Sequence, residues 1–125
     1  MVLEDYYRRI DSDEPTSAVE LFAEDARCFM MMDGVVARAE SKAEWARLIQ
    51  TRPPERKDHR HIPLAWFHGP DQESVIGVVT SPAGVLGSFM AHALVDGSMI
   101  KSYSMQFTSE TELFPPTLAA ASDQV

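Results

Sequence analysis

Residues 59 to 108 read HRHIPLAWFHGPDQESVIGVVTSPAGVLGSFMAHALVDGSMIKSYSMQFT. Four runs rich in branched and aromatic residues, at 59–68, 74–81, 85–95 and 98–108, are broken by Gly69-Pro70-Asp71, Ser81-Pro82-Ala83-Gly84 and Asp96-Gly97, residues that reverse a chain. Loops this short join antiparallel neighbours, so this half of the chain predicts an antiparallel meander. A two-residue Asp96-Gly97 turn sets Val95 opposite Ser98, His92 opposite Lys101 and Met90 opposite Tyr103. Ser88, Met90, His92 and Tyr103 then share one face, assigned to the interior, with Phe89, Ala91, Ala93, Ser102 and Ser104 outside. In the first run, alternation sorts His59, His61, Pro63, Ala65 and Phe67 onto one face and Arg60, Ile62, Leu64, Trp66 and His68 onto the other. Both faces are largely apolar, which predicts that a second subunit covers the outer one through the row Ile62, Leu64 and Trp66.

Ahead of the meander, Leu3, Tyr6, Tyr7 and Ile10 fall at helical spacing and predict a helix over 2–11, ended by Asp11-Ser12-Asp13. Pro15 suits the first turn of a second helix, whose stripe of Ala18, Val19, Leu21 and Phe22 carries it to about residue 24. A hairpin follows, with a strand over 26–32, a tight turn at Asp33-Gly34 and a return over 35–38. Ser41 and Glu44 match a capping box that opens a third helix, and Trp45, Leu48 and Ile49 form its buried face up to Pro53. The expected class is α+β: a curved antiparallel sheet wrapped around three N-terminal helices, with a concave cavity between them. The domain is assigned to 1–113, and 114–125, from Phe114-Pro115-Pro116 through Ala119-Ala120-Ala121, to a flexible tail.

A chain of 125 residues, 45% of them hydrophobic, suffices for one domain with a closed core. Its formal charge of -8 opposes phosphate backbones and anionic lipid, so neither nucleic acid nor membrane is an expected partner. The local basic cluster of Arg52, Arg56, Lys57 and Arg60 is interrupted by Pro53, Pro54, Glu55 and Asp58 and reads as a solvated loop. A single cysteine, Cys28, rules out an internal disulfide and reads as a buried, inert thiol. The start Met1-Val2-Leu3-Glu4-Asp5 lacks the basic and apolar regions of a secretion signal, and no apolar run spans a bilayer, so the expected location is the cytoplasm.

Among chemistry-bearing residues, His61 sits at a strand centre beside Pro63 and Ala65. It reads either as a general acid or base or as a buried histidine bonded to backbone. His59 lies two residues away on the same face, a spacing some metal sites use, but His92, Asp11 and Cys28 complete no ligand spacing, so no metal is expected. Tyr6 and Tyr7 are adjacent, so one points into the sheet and the other lies at the edge of that face; a buried tyrosine donates to a ligand or to another core group. No glycine-rich phosphate loop is present, and no cofactor is expected.

Tyr6-Tyr7-Arg8-Arg9-Ile10-Asp11, then AVELFAEDA at 18–26, Arg60-His61-Ile62 and Val75-Ile76-Gly77 resemble, in order and spacing, the SnoaL-like branch of the NTF2-like superfamily over about residues 2 to 108. The resemblance implies a cone-shaped α+β fold, usually dimeric, with a pocket between sheet and helices. It implies no single activity, because the fold carries dehydratases, isomerases, cyclases, epoxide hydrolases and non-catalytic binders. The pattern is similar to scytalone dehydratase-like members, which implies a catalytic histidine at His61 acting with Asp11 at the end of the first helix. That family's tyrosine falls near Met30 and its second histidine near Val85. Against ketosteroid isomerase-like members, Tyr6 matches the oxyanion tyrosine, and Met30 stands where the aspartate base belongs. No Asp-Arg-Asp set like that of limonene epoxide hydrolases is present.

The expected function is cofactor-free acid/base chemistry on a small organic molecule, a dehydration, cyclisation or isomerisation of the kind natural-product pathways use. His61, Asp11 and Tyr6 are the catalytic candidates, and Tyr7, Met30, Trp45, His59, Phe67, Met90, His92 and Tyr103 the ligand-binding ones. The competing reading is a non-catalytic ligand-binding or assembly module of the same fold. The expected partners are a small organic ligand and a second copy of the chain, docked sheet to sheet.

Overall fold

The structure, a computed structural model, describes residues 1–109 apart from the side chain of Glu55; the expected tail at 114–125 and the expected domain end at 113 lie outside the described residues. The stripe of Leu3, Tyr6, Tyr7 and Ile10 winds into α1 (Val2–Ile10), with Glu4 and Asp5 in its first turn and Arg8 and Arg9 in its last, each complementing the helix dipole. Two of its free N-terminal amides donate to the buried Glu73 carboxylate, Leu3 N at 2.8 Å and Val2 N at 3.2 Å. This cap comes from the sheet, so it fixes where α1 lies across the strands.

Pro15 opens the second helical segment, but as a 3₁₀ turn over Pro15–Leu21, and strand β1 (Phe22–Met32) starts at Phe22 rather than at 26. Phe22 is extended (φ -102°, ψ 142°) and its ring is fully buried. Burying such a ring stabilises by about 2 kcal/mol, more than another turn of short helix contributes. Asp33 and Gly34 both take positive φ (49° and 84°), the left-handed pair of a two-residue hairpin turn, and return the chain as β2 (Val35–Ala39). Ser41 Oγ accepts from Glu44 N at 3.2 Å and the Glu44 carboxylate accepts from Glu40 N, which opens α2 (Lys42–Gln50). A 3₁₀ turn over Pro54–Asp58 leads to β3 (Arg60–His68), β4 (Gln72–Ser81), β5 (Gly84–Asp96) and β6 (Met99–Thr108). Among the described residues, no helix is long and apolar enough to cross a membrane.

The strands form one sheet in the order β2-β1-β6-β5-β4-β3. The sheet is mixed rather than wholly antiparallel, because β1 and β6 pair in parallel. Side-chain alternation is identical in the two directions, and only a short connection announces antiparallel pairing; β1 and β6 are far apart in sequence.

Bulges correct two of the expected faces. Between β3 and β4, Pro63 pairs with Gly77 and Ala65 with Ile76, leaving Leu64 as an extra residue. His61 therefore stays on the inner face, while beyond the bulge Trp66 turns inward opposite buried Val75 and Phe67 turns outward, 55% exposed. Between β5 and β6, Asp96 pairs with Met99 across a Gly97-Ser98 turn, and a bulge at Leu94/Val95 then sets Ala93 opposite Tyr103 and Ala91 opposite Met105. Beyond that bulge, odd-numbered residues from Gly87 to Ala93 and from Tyr103 to Phe107 face the core, so Phe89, Ala91 and Ala93 are buried while Met90 is exposed, the reverse of the expected assignment for β5.

Two glycines mark where strands press together. A Cβ on Gly77 would stand 2.2 Å from the Ile62 carbonyl oxygen beside the first bulge, and one on Gly87 would stand 2.0 Å from that of Thr108. The sheet so bent encloses a core of Leu3, Phe22, Val75, Phe89, Ile100 and Tyr103.

Candidate functional site

Between α1, α2 and the inner face of the sheet lies a cavity of about 670 Å³. α1 supplies Tyr6, Tyr7 and Asp11 at its C-terminal end; α2 supplies Trp45; β3, β5 and β6 supply His61, Phe89 and Tyr103.

The best-defined polar group on its wall is the pair of Asp11 and His61. Asp11 ends α1, its own N–H bonded to Tyr7 O at 3.1 Å, and its carboxylate reaches the first residues of β3. Oδ2 accepts from the His61 backbone N–H at 2.7 Å and Oδ1 lies 2.8 Å from ring Nδ1. Both side chains are nearly buried, at 14% and 13% exposure. An ionised carboxylate only accepts, so Nδ1 carries the ring proton and a neutral imidazole keeps its lone pair at Nε2. The rings of Tyr7, at 4.7 Å between centroids, and Phe89, at 5.0 Å and edge-on, hold the imidazole from two further sides.

Deeper in, Tyr6 and Tyr7 are both buried, rather than one of them lying at the edge of the face. Their rings meet at 5.0 Å, edge to face, because the inner groove is deep enough to take adjacent residues of α1. The hydroxyls of Tyr7 and Tyr103 are 2.6 Å apart. Burial pushes the pKa of Tyr6, Tyr7 and Tyr103 well above the usual tyrosine value, so at neutral pH all three are hydrogen-bonding phenols, not bases. The Trp45 indole N–H lies close enough to the Tyr6 hydroxyl to offset part of that shift, yet it makes no hydrogen bond of ordinary geometry and is buried. A buried donor so loosely engaged is an available contact for an acceptor in the cavity. Burial likewise pushes the Cys28 thiol up to about 12, which makes it unreactive at neutral pH.

The structure brings Tyr6, Tyr7, Asp11, Met30, Trp45, His59, His61 and Tyr103 together around this cavity. It does not bring Phe67, Met90 or His92 there. Phe67 lies outside because of the Leu64 bulge, and Met90 and His92 because of the bulge at Leu94/Val95. On the outer face His92 Nδ1 is 2.8 Å from Ser74 Oγ, and both line a shallow groove with Phe29, Met31 and Met90. Sequence reasoning missed Phe89, assigned outside but present on the cavity wall, and Arg52 and Arg56, which line the cavity rather than a wholly solvated loop. Periodicity carried no sign of the two arginines, since Arg52 lies in a bend before Pro53 and Arg56 in the short 3₁₀ turn Pro54–Asp58, neither long enough to show a face.

No protein-family model matches the sequence, and no curated protein matches it. Solved structures do match in shape. A protein of the SnoaL-like family from Agrobacterium tumefaciens superposes with a TM-score of 0.71 at 12% identity, over 85% of this chain and 93% of that one. A protein of ketosteroid isomerase-like fold from Catenulispora acidiphila, in complex with trimethylamine, gives 0.68 at 12% identity, over 86% and 85%. An NTF2-like protein from Cytophaga hutchinsonii gives 0.64 at 8% identity, over 85% and 86%. Helices seated against one face of a curved six-stranded sheet, and these superpositions, show that the chain has the NTF2-like α+β fold.

Proposed function

We propose that the cavity binds a small organic molecule and that His61, oriented by Asp11, moves a proton on it without a cofactor. The observation that carries this reading is the two-point grip of Asp11 on His61 at the cavity wall. A histidine needed only for packing requires no carboxylate on both its amide and its ring, whereas a base needs its tautomer and direction fixed. The Nε2 lone pair takes a proton from a carbon next to a carbonyl, or from a hydroxyl. The imidazolium, stabilised by Asp11, then returns it to a leaving hydroxyl or to another carbon, giving dehydration, cyclisation or isomerisation. Tyr6 and the loosely engaged Trp45 N–H supply donors for charge that develops on a substrate oxygen.

A panel of small β-hydroxy ketones and β,γ-unsaturated ketones, incubated with the protein alone and followed by proton NMR, tests this reading. Loss of water or migration of a double bond on at least one compound is expected. Binding without turnover across the panel would favour the non-catalytic module, a reading supported by Met30, an apolar residue on the cavity wall where ketosteroid isomerase-like members place their base.

We propose further that two copies pack outer face to outer face. Ile62, Leu64, Phe67, Met90 and Leu94 are all exposed on that side, a spread of apolar surface unusual for a monomer. Because the bulge turns Trp66 inward, the informative substitution is Phe67→Glu rather than one at Trp66. Sedimentation should show a dimer at micromolar concentration, and Phe67→Glu should weaken it by about a hundredfold or more by burying an unpaired charge. A wild-type monomer would overturn the proposal.

A further inference from the structure

The cations of this chain are distributed in an informative way. Arg8, Arg9, Arg27, Lys42 and Lys101 each pair with a carboxylate on the surface. Arg38 lies over the Phe29 ring, Arg60 donates to backbone carbonyls, and Arg47 and Lys57, without an ion pair among the described residues, are exposed to solvent. Arg52 and Arg56 line the cavity instead, neither of them fully exposed, and among the described residues no carboxylate lies within ion-pair distance of either guanidinium. The chain carries 19 acidic residues against 11 Lys and Arg, so partners are plentiful elsewhere. Asp11 is a carboxylate on the same wall, but it is engaged with His61 and lies beyond ion-pair distance of either guanidinium, and two like charges side by side at a cavity cost stability unless an anion completes them.

The fields of these groups converge on the cavity. Burial and Arg56 lower the pKa of Arg52, while its charge acts on Tyr6 and Asp11, the groups nearest the proposed chemistry. His59, on the same rim, is held towards its neutral form by burial, then by Arg56, His61 and Arg52. Both arginines remain charged at neutral pH, because a guanidinium does not deprotonate in proteins. Behind them the interior is aromatic, with Tyr6, Tyr7, Trp45 and Phe89 on its walls.

We propose that the molecule bound here is an organic anion, a carboxylic acid whose carboxylate is held by Arg52 and Arg56 at the rim while its carbon skeleton fills the aromatic interior next to His61. This rests on the reading of the cavity as a ligand site given above. A planar fork of donors matches a carboxylate in two-point contact, and the charge-assisted bonds favour it over a neutral group of the same shape. Docking the carboxylate at the rim also fixes which carbon of the skeleton faces the imidazole.

Calorimetric titration of the full-length protein with naphthalene-2-carboxylate and, separately, with naphthalene-2-carboxamide separates charge from shape. The carboxylate is expected to bind about tenfold tighter or more. Arg52→Gln combined with Arg56→Gln should erase that preference, bringing the carboxylate affinity down to that of the amide. Equal affinities in the wild type, or a preference that survives in the double variant, overturn the anion proposal while the ligand site stands. If neither probe binds the wild type, the ligand site falls and the anion proposal with it. A double variant that loses the amide as well has lost its cavity, and Arg56→Gln alone then carries the same comparison, with a reduced preference expected and an unchanged one overturning the proposal.

Discussion

Above about pH 10 the protein should lose stability steeply with each further pH unit until it unfolds. Tyr6, Tyr7 and Tyr103 are buried and their folded-state pKa values are raised, first by that burial, whereas in the unfolded chain they ionise near 10.0. In this window the unfolded chain binds fewer protons than the folded one, so stability falls as pH rises, by about 1.4 kcal/mol per unit for each fully shifted group. The contribution is wholly present below the unfolded value and is lost as pH climbs towards the folded one. Cys28, moved by burial from 9.0 to about 12, adds to the same limb and starts it earlier. Urea unfolding midpoints measured from about pH 8 to about pH 11 should be level at first and then drop steeply. Tyr103→Phe should make the drop shallower, at the cost of the 2.6 Å hydroxyl contact with Tyr7. A level profile, with phenolate absorbance appearing near pH 10 in the folded protein, would mean that these phenols are open to solvent.

How much of this was legible in the sequence follows from which physical rules are local. The helical stripe of Leu3, Tyr6, Tyr7 and Ile10, the Ser41 and Glu44 cap, and the Asp33-Gly34 turn act within a few residues and are realised in α1, α2 and the first hairpin. The pairing of β1 with β6 depends on chain segments far apart in sequence, and no alternation pattern distinguishes its direction. The bulges at Leu64 and at Leu94/Val95 are one-residue events caused by packing across strands, and each reverses the faces of everything beyond it. For that reason Phe67, Met90 and His92 were assigned inward and lie outward, while His61, ahead of its bulge, lies inward as assigned. Arg52 and Arg56 resemble any solvated basic loop until the fold closes that loop over the cavity.

His61→Ala should lower turnover of a converted substrate by about a hundredfold or more, because His59, the other imidazole on the cavity wall, has no carboxylate hydrogen-bonded to its ring to fix its tautomer and direction among the described residues. Asp11→Asn should cost less, about tenfold. It retains an acceptor for the His61 amide but removes the charge that stabilises the imidazolium and fixes its tautomer. If the two side chains act as one unit, the double variant should be no slower than His61→Ala alone. Wild-type turnover in His61→Ala, with the fold intact by circular dichroism, would remove His61 from the chemistry.

The measurement closest to the central claim needs no substrate. In nitrogen-15 spectra of histidine-labelled protein, recorded with rising pH until the imidazole is neutral, the His61 ring should show a protonated Nδ1 and a bare Nε2. Asp11→Asn should weaken that preference, since the carboxylate 2.8 Å from Nδ1 would be gone. A wild-type ring carrying its proton on Nε2 would present no lone pair away from Asp11 and would contradict the account of His61 as a base aimed into the cavity.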